Sequence, residues 1–104
     1  MKKIPKEYQY EGGIIGRNTR GTINELLVAS DLLKKGFEVF RAECPTCSCD
    51  LVILSNLKPY RVEVKTGWKT QGEIHVSKGL DFTKFDILAI VFDGVIRYEP
   101  KLPF

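Results

Sequence analysis

Cys49-Asp50-Leu51-Val52-Ile53-Leu54 and Tyr60-Arg61-Val62-Glu63-Val64-Lys65-Thr66 each read as a buried β-strand rich in Val, Ile and Leu. Each also carries charge that a buried strand avoids. Asp50 heads the first strand. Glu63 and Lys65 stand in the middle of the second. Side chains on a strand alternate, so these two share one face about 7 Å apart, and Val62 and Val64 take the other. Ser55-Asn56-Leu57-Lys58-Pro59 supplies a turn between the strands. Pairing through it carries Asp50 to the face of Glu63, which gathers two carboxylates and an ammonium at one strand end. An isolated Glu-x-Lys is usually an ordinary ion pair on a solvated edge. The surrounding elements decide which reading applies.

The chain has 104 residues, 43% of them hydrophobic, enough for one domain whose core needs no disulfide or metal staple. We divide it into a basic arm (1–16), a core (17–98) and a tail (99–104). Any chemistry must therefore share its fold with binding. The net charge of +3 does not by itself argue for nucleic acid. A metal held by Glu25, Asp50 and Glu63 would set aside three of the 13 acidic side chains and raise the remaining surplus to +6. Such a balance suits a phosphate-binding surface around an acidic metal pocket. Met1-Lys2-Lys3-Ile4-Pro5-Lys6 is basic with no apolar segment behind it, so neither a signal peptide nor a membrane anchor is expected. Three cysteines without an export signal point to a reducing, intracellular (cytoplasmic) setting.

The arm reads as irregular, with Pro5 and Glu11-Gly12-Gly13, and is bracketed by Lys2, Lys3, Lys6, Arg17 and Arg20. It is either a strand of positive charge along phosphates or a frayed terminus. Asn18 or Thr19 caps a helix that runs from Arg20 to Lys35, and Gly36 ends it after two lysines. Ile23, Leu26, Leu27, Ser30 and Leu33 fall on one face, widened by Ala29 and Leu32, and this stripe is the expected core face. Glu25 sits beside it, either as a surface carboxylate near the positive end of the helix dipole or reaching the edge of a sheet beneath. Phe37-Glu38-Val39-Phe40-Arg41 alternates as a strand. Glu25, Asp50, Glu63 and Lys65 thus come from three adjacent elements.

Cys44-Pro45-Thr46-Cys47-Ser48-Cys49 joins two strands. Its three thiolates, with His75 as a fourth ligand, would make a zinc site, but the second well-spaced pair of a structural site is missing. A Cys44/Cys47 redox pair should open a helix, and this one enters a strand. The plain alternative is loop thiols, with Cys49 packed as a small apolar residue.

Gly67-Trp68-Lys69-Thr70-Gln71-Gly72 reads as a polar loop beside the charged strand end. Trp68 either touches a nucleic-acid backbone there or caps the core edge. Glu73 to Val76 is a brief extended piece holding the single histidine, His75, read as a surface residue. Ser77 to Phe85 is expected as a short helix weakened by Gly79, with Lys78 and Lys84 as phosphate contacts. Ile87 to Phe92 is a continuous apolar strand, Asp93-Gly94 a hairpin turn, and Val95 to Tyr98 its antiparallel return.

The segments Gly21-Thr22-Ile23-Asn24-Glu25-Leu26-Leu27-Val28-Ala29, Leu33 to Phe40, Cys49-Asp50-Leu51-Val52-Ile53 and Val62-Glu63-Val64-Lys65-Thr66 resemble the PD-(D/E)xK nuclease superfamily, in particular its small archaeal-type Holliday-junction-resolvase-like members. The likeness covers about residues 17 to 98. One departure is Cys49, where the family pattern has Pro before the Asp. The resemblance implies an α/β (α+β) restriction-endonuclease-like core, in the order α-β-β-β-α-β-β, with one mixed sheet flanked by helices. It implies Mg²⁺, with Mn²⁺ as a substitute, on Asp50, Glu63 and the carbonyl of Val64, and Glu25 as a direct or water-mediated ligand. Lys65 would hold or activate the attacking water. Arg17, Arg20, Trp68, Lys69, Gln71 and Lys78 would contact DNA. The implied activity is hydrolysis of DNA phosphodiesters by a homodimer, on branched or junction DNA. A nicking or restriction-type endonuclease is the near alternative, and a non-catalytic nucleic-acid-binding module of the same fold the more distant one.

Overall fold

The computed structural model of the protein describes residues 6, 9–10, 13–44, 46–100 and 102. Lys2 and Lys3 of the expected arm and Phe104 of the tail lie outside the described residues. The chain runs β1 (Gln9–Tyr10), β2 (Gly13–Ile14), α1 (Arg17–Lys34), β3 (Glu38–Arg41), β4 (Leu51–Ser55), β5 (Lys58–Thr66), β6 (Trp68–Thr70), β7 (Glu73–His75), β8 (Ile87–Phe92) and β9 (Val95–Glu99). Five strands form one mixed sheet in the order β3-β4-β5-β8-β9. β5 and β8 run parallel at its centre, and every other neighbouring pair is antiparallel.

The β4–β5 connection is tighter than the expected five-residue turn. Ser55 pairs with Lys58, leaving only Asn56 and Leu57, both at positive φ (52° and 68°). Two such residues twist the chain in the sense that paired strands require. The β8–β9 turn repeats the device with Asp93 and Gly94 at φ 50° and 74°. β8 is buried along nearly its whole length, as an apolar strand covered on both faces must be.

α1 lies across the sheet and buries Val28, Ala29 and Leu32 against Leu51, Ile53, Val62, Ile87, Ala89 and Val91. The buried face overlaps the expected stripe only at Ala29 and Leu32, the two residues that widened it. Leu26, Leu27 and Leu33 are 48%, 41% and 58% exposed, whereas Asn24, Val28, Ala29 and Leu32 face inward. The helix also begins earlier than expected. Gly16 stands at its N-cap with no side-chain cap bond, in place of Asn18 or Thr19. Lys35 closes it, and Gly36 follows at φ 91°, the left-handed exit expected of that glycine.

Two further expectations are corrected. The Gly67–Gly72 loop is largely a hairpin, with β6 paired to β7 through a turn at Gln71 (φ 52°) and Gly72 (φ 84°). Residues 77–86 form no helix, so among the described residues a single α-helix, rather than helices on both sides, accompanies the sheet. Here Gly79 turns left-handed at φ 85°, and Asp81 Oδ1 accepts bonds from the Thr83 N–H (3.0 Å) and hydroxyl (2.5 Å). Arg61 then fixes the segment to β5: Nη1 donates to the Thr83 carbonyl at 2.9 Å and Nη2 to Asp86 Oδ1 at 3.1 Å. The apolar residues Phe85, Leu88 and Ile90, with Ile74, Val76 and Leu80, make a second, smaller core on this side of the sheet. In the arm, β1 and β2 pair as a short antiparallel ladder where irregular chain is expected. Among the described residues no helix is long and apolar enough to cross a membrane.

Candidate active site

Strand register brings the charged residues together. Leu51 pairs with Val62, so one step outward Asp50 stands opposite Glu63. The Asp50 N–H donates to the Val62 carbonyl at 3.1 Å, which continues the ladder past the end of β4. Asp50 Oδ2 accepts the Val64 N–H at 2.7 Å. One carboxylate oxygen is thereby fixed to the backbone of the strand that carries Glu63 and Lys65. Lys65 Nζ lies 3.7 Å from Glu63 Oε2.

The Glu63 carboxyl is pushed up to about 7. Burial is the main cause, followed by a hydrogen bond with the Asp50 carboxyl and the Asp50 charge, while Lys65 only partly offsets them. A carboxyl beside another carboxylate is harder to ionise. Glu25 is raised as well, first by burial and then by the Asp50 charge, with Arg41 opposing. Its Oε1 lies 3.9 Å from Arg41 Nη2. The Cys49 thiol is raised by burial and by the Asp50 and Glu63 charges. Negative charge is thus concentrated at the point where α1, β4 and β5 meet.

Among the described residues, no three His, Cys, Asp or Glu side chains close on one point as a finished metal cage. Asp50 and Glu63 are the close pair. Glu25 stands on the far side of Asp50, where both line a cleft of about 280 Å³ with Thr22, Glu43 and the cysteine loop. The donor set still fits a hard divalent cation. Magnesium keeps several waters and needs only one or two carboxylates from the protein, and neighbouring carboxylates gain from a cation placed between them.

A second cleft, about 460 Å³ in volume, opens on the Lys65 side. Arg17, Arg20 and Gly21 of α1, Lys65 and Thr66 of β5, and Gly67, Trp68 and Ser77 line it. Of the six expected DNA contacts, Arg17, Arg20 and Trp68 therefore surround one concavity. Lys69 lies on the exposed hairpin, Gln71 in its turn and Lys78 on the exposed segment after it.

Cys44 and Cys47 are joined by a disulfide and Cys49 is a half-buried free thiol, so the three-thiolate zinc set is not assembled. His75 is on β7, its ring stacked against Trp68 at 6.0 Å. Sequence reasoning missed Asn24. This side chain is 1% exposed and its Nδ2 donates to Thr66 Oγ1 at 2.6 Å, tying α1 to β5. An amide four and eight residues before Val28 and Leu32, on the same face of the helix, was the available signal. Arg41 was also missed, although a cation ending the strand beside the acidic group is visible in the sequence.

No family model matches the sequence, and no curated protein is recognisably similar to it. Among solved structures, the chain is similar to the bacterial homing endonuclease I-Ssp6803I, with a TM-score of 0.67 at 22% identity. The match covers 82% of this chain and 65% of that one. The likeness establishes a shared fold: a mixed sheet with one helix packed across it. This chain spans about two-thirds of the neighbour's length.

Proposed function

We propose that the protein is a metal-dependent DNA endonuclease of the PD-(D/E)xK type. The observation that carries this reading is the strand register that sets Asp50 opposite Glu63, with Asp50 Oδ2 bonded to the Val64 N–H and Lys65 Nζ 3.7 Å from Glu63. Supporting it are the shared fold with a protein described as a homing endonuclease and the cationic cleft beside the acidic pair.

Asp50, Glu63 and the Val64 carbonyl would hold Mg²⁺ or Mn²⁺, with Glu25 joining directly or through water. The ion supplies charge neutralisation at the phosphate and at the developing transition state. Lys65 positions the attacking water and offsets negative charge on the five-coordinate phosphorus. Water oxygen bonds to phosphorus, the P–O3′ bond breaks, and the departing 3′-oxygen takes up a proton. The products are a 5′-phosphate and a 3′-hydroxyl. Arg17, Arg20, Trp68, Lys69, Gln71 and Lys78 hold the DNA. Branched or junction DNA is the proposed substrate and a two-fold homodimer the proposed assembly, since symmetric cutting of two strands calls for paired sites.

The test is a cleavage panel of plasmid, linear duplex, single strand, flap and four-way junction, each with Mg²⁺ or Mn²⁺. Lys65→Ala and Glu63→Ala should each lose at least about a hundredfold in rate, the scale expected when one transition-state-stabilising group is removed. Equal cutting by wild type and variants would place the activity elsewhere.

A further inference from the structure

We infer that the cleft between the start of α1 and the β5–β6 junction is a pocket for one unpaired deoxynucleotide, adjacent to the phosphate that is cut. The inference rests on the nuclease reading for its position beside the scissile bond, and adds what the site selects. The cleft's volume of about 460 Å³ falls within the range of about 300–1,000 Å³ that discrete ligand sites occupy. Its chemistry is mixed in an informative way. Its lining combines three cationic residues, Arg17, Arg20 and Lys65, with the aromatic Trp68. Such a set suits a ligand with a negative charge at one end and a flat aromatic face at the other. A duplex offers its phosphates on the outside and keeps its base faces stacked within. Only an unpaired nucleotide brings both to the same concavity.

The indole is fixed in place. Gly67 donates its N–H to the Val91 carbonyl at 2.8 Å, and a Cβ on Gly67 would lie 2.9 Å from Ile90 Cγ2 and 3.0 Å from the His75 carbonyl oxygen. The chain immediately before Trp68 is thus pressed against the sheet, and the Trp68 ring is backed by His75 at an interplanar angle of 29°. A platform held this way loses little freedom when a base stacks on it. Gly21 adds no side-chain bulk to the α1 side of the pocket. Lys65 lines the pocket while lying 3.7 Å from Glu63, so a nucleotide seated there has its phosphate next to the acidic pair. Frayed ends, branch points and flaps supply such a nucleotide without the cost of unpairing it.

Trp68 is the chain's one tryptophan, so its emission reports on the pocket directly. The full chain in EDTA would be titrated with a 5′-phosphorylated single strand of six thymidines and with a blunt GC-rich hairpin duplex long enough to remain paired throughout. The strand should quench the emission saturably and bind at least about tenfold more tightly than the duplex. Trp68→Ala should weaken strand binding at least about fivefold, the low end for one lost base–aromatic stack, with Trp68→Phe intermediate. Arg20→Ala should weaken binding and lower its salt dependence by about one counterion. If Trp68→Ala fails to fold, Trp68→Phe with 2-aminopurine in the strand gives the same reading from the ligand's side. Strand binding without quenching, or duplex bound as tightly as strand, overturns the pocket. No hydrolysis occurs in EDTA, so the two readings fail separately: cutting of duplex with unmoved Trp68 emission removes the pocket alone, and strand binding without cutting of any DNA removes the nuclease reading alone.

Discussion

Asn24 donates from Nδ2 to the Thr66 hydroxyl at 2.6 Å, joining the residue before Glu25 to the residue after Lys65. One buried polar bond thus sets the distance between the helix and strand that carry the site's outermost charged groups. Asn24→Ala should cost about 1–3 kcal/mol in urea unfolding, the usual penalty for stripping a buried polar group of its partner. Thr66→Ser keeps the hydroxyl and should cost less than half as much. A double-mutant cycle with Thr66→Val should give a coupling of at least about 0.5 kcal/mol. A coupling near zero would mean the bond does not hold the two elements together.

The Glu63 carboxyl makes a pH prediction with a definite sign. Its folded-state value of about 7 lies above its ordinary value of 4.5. Between these limits the folded chain binds more protons than the unfolded one, so stability falls as pH rises from about 4.5 to 7 and the full penalty is present above that. Glu25 is shifted in the same direction and adds to the slope. Metal-free thermal unfolding at stepped pH should therefore show Tm declining through this window. Glu63→Gln should flatten most of the decline, and millimolar Mg²⁺ should reverse it by stabilising the ionised pair. A Glu63→Gln profile parallel to wild type would mean that the carboxyl contact contributes nothing.

The strands and the site's inner residues were readable because their signals are local. Leu51 to Leu54 and Ile87 to Phe92 are apolar runs that only a covered sheet accommodates, and strand alternation alone put Glu63 and Lys65 on one face. What failed was decided by packing. Counting leucines favoured the Ile23-Leu26-Leu27-Leu33 side of α1, but the sheet selected the side with Asn24, Val28, Ala29 and Leu32, of which only Ala29 and Leu32 edged the expected stripe. The β6–β7 hairpin is three residues a side and too polar for alternation to stand out, although Gln71-Gly72 is a legible turn. The segment at 77–86 takes its path from the Arg61 bonds to Thr83 and Asp86, a long-range tie that no window of sequence contains.

The two faces of α1 should respond differently to substitution. Leu32 is fully buried, and Leu32→Ala should cost about 2–5 kcal/mol through lost contacts and the cavity left behind. Leu33 is 58% exposed, and Leu33→Lys should stay within about 0.5 kcal/mol of wild type. Chemical denaturation of the pair measures both. Comparable losses at the two positions would show that the outer leucines are buried in solution after all.

Gly67 gives the most localised prediction. A methyl group there meets Ile90 Cγ2 at 2.9 Å, the His75 carbonyl oxygen at 3.0 Å and Ile74 Cγ2 at 3.1 Å. One of these neighbours is backbone and cannot rotate aside, so the β6–β7 hairpin must lift from the sheet. Gly67→Ala should cost about 1–3 kcal/mol, the range for overpacking a close-packed site. Because Trp68 is the next residue, the same change should alter tryptophan emission in the free protein, before any DNA is added. Gly72→Ala, at the hairpin tip with no atom within 4 Å of the added carbon, strains a positive-φ turn without pressing on the sheet. It should lower stability while leaving the Trp68 spectrum as in wild type, and an equal spectral shift in both variants would mean that the hairpin, rather than the Gly67 contact, sets the indole's position.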